Sequence, residues 1–99
     1  MSRPFQSTSF DLTGRAALIT GAGVGIGQAS AIELARAGAI VGIHYHSSRE
    51  GAAATLASVE SIGGRGILLA GDLACESDAN RVVDEFVREA GRLDIVFNN

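Results

Sequence analysis

The chain has 99 residues, 46% of them hydrophobic, and a formal net charge of −3 at pH 7. This length fits one small domain or part of a larger one, and the apolar fraction is typical of a packed core. Its scattered basic residues disfavour a nucleic-acid surface, no apolar run reaches the roughly 18 residues of a membrane span, and a single cysteine, Cys75, excludes a disulfide framework. We therefore expect a cytoplasmic protein whose partners include neither a membrane nor a nucleic acid.

Residues 1–10 are predicted to be a flexible leader, and residues 11–99 to form the ordered part of the chain. Within the ordered part, short apolar runs alternate with segments of helical composition or periodicity. The pattern predicts strands at 16–19, 39–45, 66–70 and 93–97. It predicts helices over 28–37, from a Ser-x-x-Glu capping box at 47–50 to Gly63, and from about 77 to 90. The apolar stripe of the third helix consists of Ala79, Val82, Val83, Phe86, Val87 and Ala90.

Strands that are separated by helical crossovers form a parallel sheet with right-handed connections. We therefore predict an α/β fold with a doubly wound sheet of strand order 3-2-1-4, and a ligand site at its carboxyl edge, near strands 1 and 4. Strand 4 would expose Ile95, Val96 and Phe97 on a sheet edge, which is a liability for an isolated domain. The chain is thus predicted to be the first part of a larger fold, with further strands to follow.

A glycine-rich turn joins the first strand to the first helix and reads T-G-A-G-V-G-I-G over residues 20–27. Glycines let a ligand approach the backbone, and the N–H groups and dipole of a helix start attract phosphate. The spacing excludes the fingerprint G-x-G-x-x-G, whose last position is Ile26 or Gln28 here, and the P-loop, which needs Lys-Ser/Thr. The turn therefore predicts a nucleotide site of another kind, with a tight turn that binds no ligand as the alternative.

The turn fits the pattern T-G-x-x-x-G-x-G, in which it resembles the short-chain dehydrogenase/reductase family. Three further segments match that family in order: Asp11 to Arg15 before strand 1, Asp72-Leu73 after strand 3, and Asn98-Asn99, which resembles the start of N-N-A-G. The resemblance begins at about Phe10. It implies a Rossmann-like fold in which residues 11–99 are the N-terminal part of an NAD(P)-binding domain. The implied activity is that of an oxidoreductase that interconverts an alcohol and a carbonyl by hydride transfer.

Carried over position by position, the resemblance implies that the glycine turn lies along the pyrophosphate and the nicotinamide side of the cofactor. Asp72 and Leu73 would flank the adenine, Asn98 would line the cleft, and Asn99 would tie neighbouring strands together. The alternatives are a turn carboxylate for Asp72 and a structural role for Asn98. The implied cofactor-binding residues are Gly21, Gly23, Gly25, Ile26, Gly27, Tyr45, His46, Ser47, Ser48, Arg49, Asp72, Leu73 and Asn98.

The end of strand 2 bears on the choice between NAD(H) and NADP(H). An acidic residue there would accept hydrogen bonds from the ribose hydroxyls and repel a 2′-phosphate. The segment from Tyr45 to Arg49 contains no acid, and its hydroxyls and arginine suit a 2′-phosphate, so we expect NADP(H), with NAD(H) as the alternative. Against this, Ser47 could serve only as a helix cap, and Val24 stands where many NADP-preferring members carry a basic residue.

Family members catalyse hydride transfer with a Ser, a Tyr and a Lys, the last two as Tyr-x-x-x-Lys, which follow N-N-A-G. This chain has one tyrosine and no lysine, so no catalytic residue is predicted within it. Tyr45 and Arg49 have the spacing but lie on the adenosine side, and an arginine cannot replace the lysine. His44 and His46 share a strand face, but without a third ligand they predict no metal site.

Two other functions stay open. The chain could be a non-catalytic NADP(H)-binding sensor or scaffold, or a methyltransferase with a glycine-rich S-adenosylmethionine loop, which the missing acid after strand 2 disfavours. Titration with each ligand discriminates them, since only a bound ligand raises the melting temperature. The resemblance also implies a small alcohol or carbonyl substrate and a homo-oligomer in the complete protein, because family members usually pair through later helices.

Overall fold

The computed structural model describes residues 11–99, in which four β-strands and three α-helices alternate along the chain. The predicted leader at 1–10, including Phe10, lies outside the described residues. The elements are β1 (Ala16–Ile19), α1 (Gly25–Arg36), β2 (Ile40–Tyr45), α2 (Arg49–Ser61), β3 (Arg65–Ala70), α3 (Glu76–Ala90) and β4 (Ile95–Phe97).

The four strands form one parallel sheet in the order β3-β2-β1-β4, as predicted. The chain moves outward from β1 through β2 to β3, and α3 then returns it to the other side of β1. In register, Ile19 of β1 is opposite both Ile43 of β2 and Phe97 of β4. The carboxyl ends of β1, β2 and β4 therefore meet at one edge, where such sheets bind ligands.

The two faces of the sheet carry separate apolar cores. One core unites Ala17 and Ile19 of β1 with α1 and α2, chiefly through small side chains such as Ala31 and Ala52. The other core unites Ala16 and Leu18 of β1 with α3. Because successive strand side chains point to opposite faces, the continuous apolar sequence of β1 serves both cores.

Gly42, in the middle of β2, makes room for an aromatic ring on the α3 face. A Cβ atom at this position would lie 2.7 Å from Cδ1 of Phe86 and 2.9 Å from Cδ1 of Leu18. Phe86 is fully buried, so its ring occupies the space that a larger strand residue would need. The missing side chain lets α3 pack closely on the sheet.

Only part of the predicted stripe of α3 is buried. Val82 and Phe86 are 1% and 0% exposed, whereas Val83 and Val87 are 37% and 38% exposed. Residues one position apart on a helix differ by about 100° in direction, so Val83 and Val87 lie beside the seam rather than in it. The apolar stripe seen in the sequence is therefore wider than the face that the helix buries.

Several predicted boundaries differ from the observed ones. The first helix begins at Gly25 instead of Gln28, because Gly25 and Gly27 belong to its first turn despite their low helix propensity. The final strand is shorter than predicted and spans Ile95–Phe97. The order and type of all seven elements are nevertheless as predicted.

The capping box predicted before α2 is wrong. The helix begins at Arg49 after Ser48, whose side chain makes no capping hydrogen bond. Ser47 is therefore one position too early, and Glu50 is the second helical residue instead of the third that a capping box requires. Ser48 contributes its backbone carbonyl, which accepts the N–H of Ala52 at 2.9 Å.

Within residues 11–99, no helix combines the length and the apolar character that crossing a bilayer would require.

Candidate functional site

The turn between β1 and α1 depends on two glycines with positive φ. Gly21 has φ of +62° and Gly25 has φ of +55°, in the left-handed region that residues with a Cβ rarely adopt. No atom lies within 4 Å of the Cβ position built on Gly25, so this glycine faces open space at the helix start. The turn therefore presents bare backbone to whatever lies outside it.

Two other glycines allow close backbone approach within the site. A Cβ on Gly27, in the first turn of α1, would collide with the carbonyl oxygen of Gly21. A Cβ on Gly51, in the first turn of α2, would collide with the carbonyl oxygen of Gly23. The starts of both helices are thus packed directly against the glycine turn, which fixes its shape.

The N-terminus of α1 is open and carries no competing negative charge. Val24, the residue before the helix, makes no side-chain capping hydrogen bond, and the first turn contains no acidic residue. Val24 and Ile26 are 59% and 69% exposed. Since the first N–H groups of a helix have no partner within it, this end can bind an anion through its backbone and dipole.

Thr55 of α2 is hydrogen-bonded to the glycine turn. It is fully buried, and its hydroxyl lies 2.8 Å from the carbonyl oxygen of Ala22 and 2.9 Å from that of Gly51. The same hydroxyl accepts a hydrogen bond from the side-chain amide of Gln28 at 2.9 Å. This small network links α1, α2 and the turn, and the sequence pattern gave no indication of it.

The end of β4 is tied to the start of the turn. The backbone N–H of Asn99 donates to the hydroxyl of Thr20 at 2.9 Å, and its side-chain amide donates to the carbonyl oxygen of Gly21 at 3.2 Å. The predicted tying role of Asn99 is therefore confirmed. Asn98 is exposed, with its Oδ1 atom 3.4 Å from the hydroxyl of Thr20.

The end of β2 brings the predicted ribose-side residues to the same edge. Tyr45 is 8% exposed, and its phenolic oxygen lies 3.5 Å from a guanidinium nitrogen of Arg49. Arg49, His46 and Ser47 are exposed, and Ser48 is half-buried. An arginine beside a serine hydroxyl offers positive charge and hydrogen-bond donors to an anionic group.

The loop after β3 is ordered by two carboxylates. Asp72 accepts the N–H of Ala74 at 3.0 Å, which is the turn interaction considered as its alternative role. Its own N–H donates to Asp78 at 3.0 Å, and this bond lowers the pKa of the Asp78 carboxyl below its usual value. Leu73 is 37% exposed, so its side chain is available on the surface of the loop.

His44 is the residue of this edge that sequence reasoning missed. It is 4% exposed and hydrogen-bonded through both ring nitrogens, to the N–H of Gly21 and the carbonyl oxygen of Gly71. In the sequence analysis, His44 was considered only as a potential metal ligand together with His46. No cluster of metal-ligating side chains occurs among residues 11–99.

The match to a family model supplies the decisive comparison. Residues 15–99 match the model that describes the short chain dehydrogenases. The chain belongs to the short-chain dehydrogenase/reductase family. The match spans all seven elements described in residues 11–99, so the expected resemblance and Rossmann-like architecture are confirmed.

Individual relatives and solved structures agree with this assignment. A hydroxynaphthalene reductase of Aspergillus fumigatus is 41% identical over 92 residues, which cover 93% of this chain and 34% of that protein. A structure of 7α-hydroxysteroid dehydrogenase complexed with NADH and 7-oxo glycochenodeoxycholic acid has a TM-score of 0.85 at 31% identity, covering 94% and 36% of the two chains. A Burkholderia cenocepacia structure with bound NADP has a TM-score of 0.85 at 30% identity, covering 90% and 35%.

The coverage figures set the scope of the short-chain dehydrogenase assignment. The chain spans about a third of the length of the curated relatives it matches. The relatives that it matches are named as reductases and dehydrogenases, and members of the family bind a nicotinamide dinucleotide and small-molecule substrates. The 99 residues contain one tyrosine and no lysine, so they do not contain the family's Tyr-x-x-x-Lys pair.

Proposed function

We propose that residues 11–99 form the cofactor-binding part of an oxidoreductase that interconverts an alcohol and a carbonyl by hydride transfer, with NADP(H) as its cofactor. The observation that carries the proposal is the uncapped start of α1, where Gly25 faces open space and no acidic residue competes with a phosphate. The ends of β2 and β4, the two strands that flank β1, lie on either side of the turn. These residues therefore fit a dinucleotide pyrophosphate.

Within this proposal, different residues of the site bind different parts of the cofactor. The glycine turn, including Gly21, Gly23, Gly25, Ile26 and Gly27, lies along the pyrophosphate and the nicotinamide side of the cofactor. Asp72 and Leu73 flank the adenine, and Asn98 lines the cleft. The bound dinucleotide supplies or accepts the hydride. The Ser, Tyr and Lys that hold and move the proton are proposed to follow Asn99 in the sequence.

The preference for NADP(H) rests on the segment that follows β2. No carboxylate occurs between Tyr45 and Arg49, whereas the guanidinium of Arg49 and the hydroxyl of Ser47 are exposed beside the predicted ribose position. A 2′-phosphate gains charge-assisted hydrogen bonds from such groups. The solved neighbours include one complex with NADH and one with NADP, so this preference is argued from the chain's own residues.

Fluorescence titration of the purified protein with NADPH and NADH tests the cofactor assignment. We expect NADPH to bind at least about tenfold more tightly, because a charge-assisted hydrogen bond contributes roughly 1.5–3 kcal/mol. S-adenosylmethionine serves as the ligand of the methyltransferase alternative and should not raise the melting temperature. Failure of both dinucleotides to bind would contradict the proposed function.

A charge-removing variant locates the 2′-phosphate site. Arg49→Gln should weaken NADPH binding about tenfold and leave NADH binding unchanged, since only NADPH carries the additional phosphate. Arg36→Gln is the matched control, because Arg36 is exposed at the far end of α1 and pairs only with Glu33 among the described residues. An equal loss of both cofactors in Arg49→Gln would show that Arg49 does not read the 2′-phosphate.

Catalysis is tested on the protein that includes the residues after Asn99. A continuation with Ala-Gly, a serine and Tyr-x-x-x-Lys, together with NADPH oxidation in the presence of a carbonyl substrate, is the expected result. If the protein binds NADPH but its sequence after Asn99 lacks the serine and the Tyr-x-x-x-Lys pair, the non-catalytic sensor or scaffold is favoured. Cytoplasmic localisation and assembly into a homo-oligomer are parts of the same proposal, and fractionation with light scattering on the complete protein checks them.

A further inference from the structure

His44 connects two loops that belong to strands that are not neighbours. It is the penultimate residue of β2, and β2 lies between β1 and β3 in the sheet. Its Nδ1 atom lies 3.1 Å from the backbone nitrogen of Gly21, which follows β1. Its Nε2 atom lies 2.8 Å from the carbonyl oxygen of Gly71, which follows β3. One buried ring therefore joins the glycine turn to the loop that carries Asp72.

These two partners determine the state of the ring. A backbone N–H can only donate, so Nδ1 must be the acceptor of the hydrogen bond from Gly21. A carbonyl oxygen can only accept, so Nε2 must carry the hydrogen and donate it to Gly71. The contacts thus select the neutral imidazole with its hydrogen on Nε2, since a hydrogen on Nδ1 would oppose the N–H of Gly21.

The backbone around His44 reinforces the same link. The carbonyl oxygen of His44 accepts the N–H of Ala22 at 2.8 Å, and the neighbouring Tyr45 carbonyl accepts the N–H of Gly71 at 3.1 Å. These bonds bring each loop to the end of β2, and the His44 ring contacts both loops through one rigid group. An apolar side chain of similar size would fill the space and leave the N–H of Gly21 and the carbonyl of Gly71 without this partner.

We propose that His44 is a positioning residue that holds the glycine turn and the Gly71 loop in one fixed arrangement, so that the pyrophosphate and the adenine of one dinucleotide are bound together. This inference rests on the proposed cofactor function, because it assigns the two loops to two parts of the same ligand. His44 itself does not touch the reacting atoms. It acts by fixing the distance between two surfaces that the cofactor must span.

Three substitutions separate the two hydrogen bonds. His44→Phe keeps the ring but removes both bonds. His44→Asn places an amide oxygen near the Nδ1 position and can restore the bond from Gly21, whereas His44→Gln places an amide nitrogen near the Nε2 position and can restore the bond to Gly71. Leu69→Val is the control for stability, because Leu69 lies opposite His44 in the register, on the same α3-side face of the sheet, and its apolar side chain makes no hydrogen bond to either loop.

The expected result is a graded loss of NADPH affinity. His44→Phe should bind NADPH at least about tenfold more weakly than the wild-type protein, with His44→Asn and His44→Gln each recovering part of the loss, since the buried bonds are directional. Leu69→Val should lower the melting temperature without changing the affinity. A merely structural role of His44 predicts the behaviour of Leu69→Val for all three variants, and that outcome would overturn the inference.

Imidazole nitrogen NMR of the wild-type protein supplies a readout that needs no variant to fold. A bare Nδ1 and a protonated Nε2 for His44 are expected, and a hydrogen on Nδ1 would overturn the inference. The two proposals fail differently. If no dinucleotide binds to the wild-type protein, the proposed function fails; if NADPH binds equally to the wild type and His44→Phe, only the positioning role fails.

Discussion

Gly25 and Gly27 are two residues apart, yet the structure needs each for a different reason. Gly25 adopts a positive φ with open space around it, so a side chain there would strain the backbone without meeting other atoms. A side chain at position 27 would place its Cβ atom against the carbonyl oxygen of Gly21. The alternation of glycines in the sequence therefore combines backbone conformation at one position with close packing at the next.

Gly27→Ala tests the packing role. We expect a loss of roughly 1–3 kcal/mol in the free energy of unfolding, because the turn must move to accommodate the methyl group. The displaced turn should also weaken NADPH binding at least about tenfold. Urea unfolding and a binding titration measure the two effects.

Gly63→Ala is the matched control for this experiment. Gly63 has φ of +83° and no atom within 4 Å of its Cβ position, so alanine costs about 1–2 kcal/mol of backbone strain there. Because Gly63 follows α2 at the opposite end from the glycine turn, cofactor affinity should stay unchanged. Equal affinities in Gly27→Ala and the wild type would contradict the role given to Gly27.

At the scale of elements, the site is built by helix starts rather than by side chains from one strand. The first turns of α1 and α2 both pack on the glycine turn, and Thr55 fastens α2 to the carbonyl of Ala22. The amide of Gln28 completes this link from α1. Movement of either helix would therefore move the phosphate-binding backbone.

Thr55→Val tests this link between the elements. The substitution preserves volume but leaves the carbonyl of Ala22 and the amide of Gln28 without their buried partner, so it should cost roughly 1–3 kcal/mol of unfolding free energy. Thr55→Ser retains the hydroxyl and should lose less. If valine and serine behave alike in urea unfolding, the hydroxyl network does not stabilise the fold.

At the scale of the whole molecule, charged side chains form ion pairs and hydrogen bonds at the amino ends of the strands, opposite the site. Asp94 accepts the N–H of Ala16 at 2.9 Å and two hydrogen bonds from Arg92, at 2.7 and 2.8 Å. Arg15 lies 3.6 Å from the same carboxylate. These partners, Arg92 first, lower the pKa of Asp94 from 3.8 to about 2.

The lowered pKa predicts how stability depends on pH. Above about pH 5, well above the unfolded pKa of 3.8, the carboxylate is charged in both the folded and the unfolded chain, so its stabilising contribution is complete. As the pH falls from about 5 towards 2, the unfolded chain binds the proton first and this contribution is lost.

Asp94→Asn should therefore be less stable than the wild type at pH 6, and the difference should shrink as the pH approaches 2. Urea midpoints measured across this range check the prediction. Asp84→Asn, on the exposed surface of α3, is the matched control and should follow the wild-type curve. A difference between Asp94→Asn and the wild type that stays constant down to pH 2 would contradict the assignment.

The sequence by itself determined the order of the elements, the parallel sheet with its 3-2-1-4 order, and the position of the glycine turn at the carboxyl edge. These features follow from local information, because apolar periodicity and glycine spacing act over a few residues and right-handed crossovers then leave few topologies. The motifs at Asp72 and Asn98 then indicated one family, the short-chain dehydrogenases/reductases.

Only the tertiary structure decided which residues hold the turn in place. His44 and Thr55 are buried polar residues whose partners lie 23 and 33 positions away along the chain. The sequence also could not show that Ser47 does not cap α2 or that Val83 and Val87 are exposed. Both features depend on where a helix packs in the fold. Sequence periodicity indicates that a face is buried, but the partners of a buried hydrogen-bonding group are set by how distant segments meet.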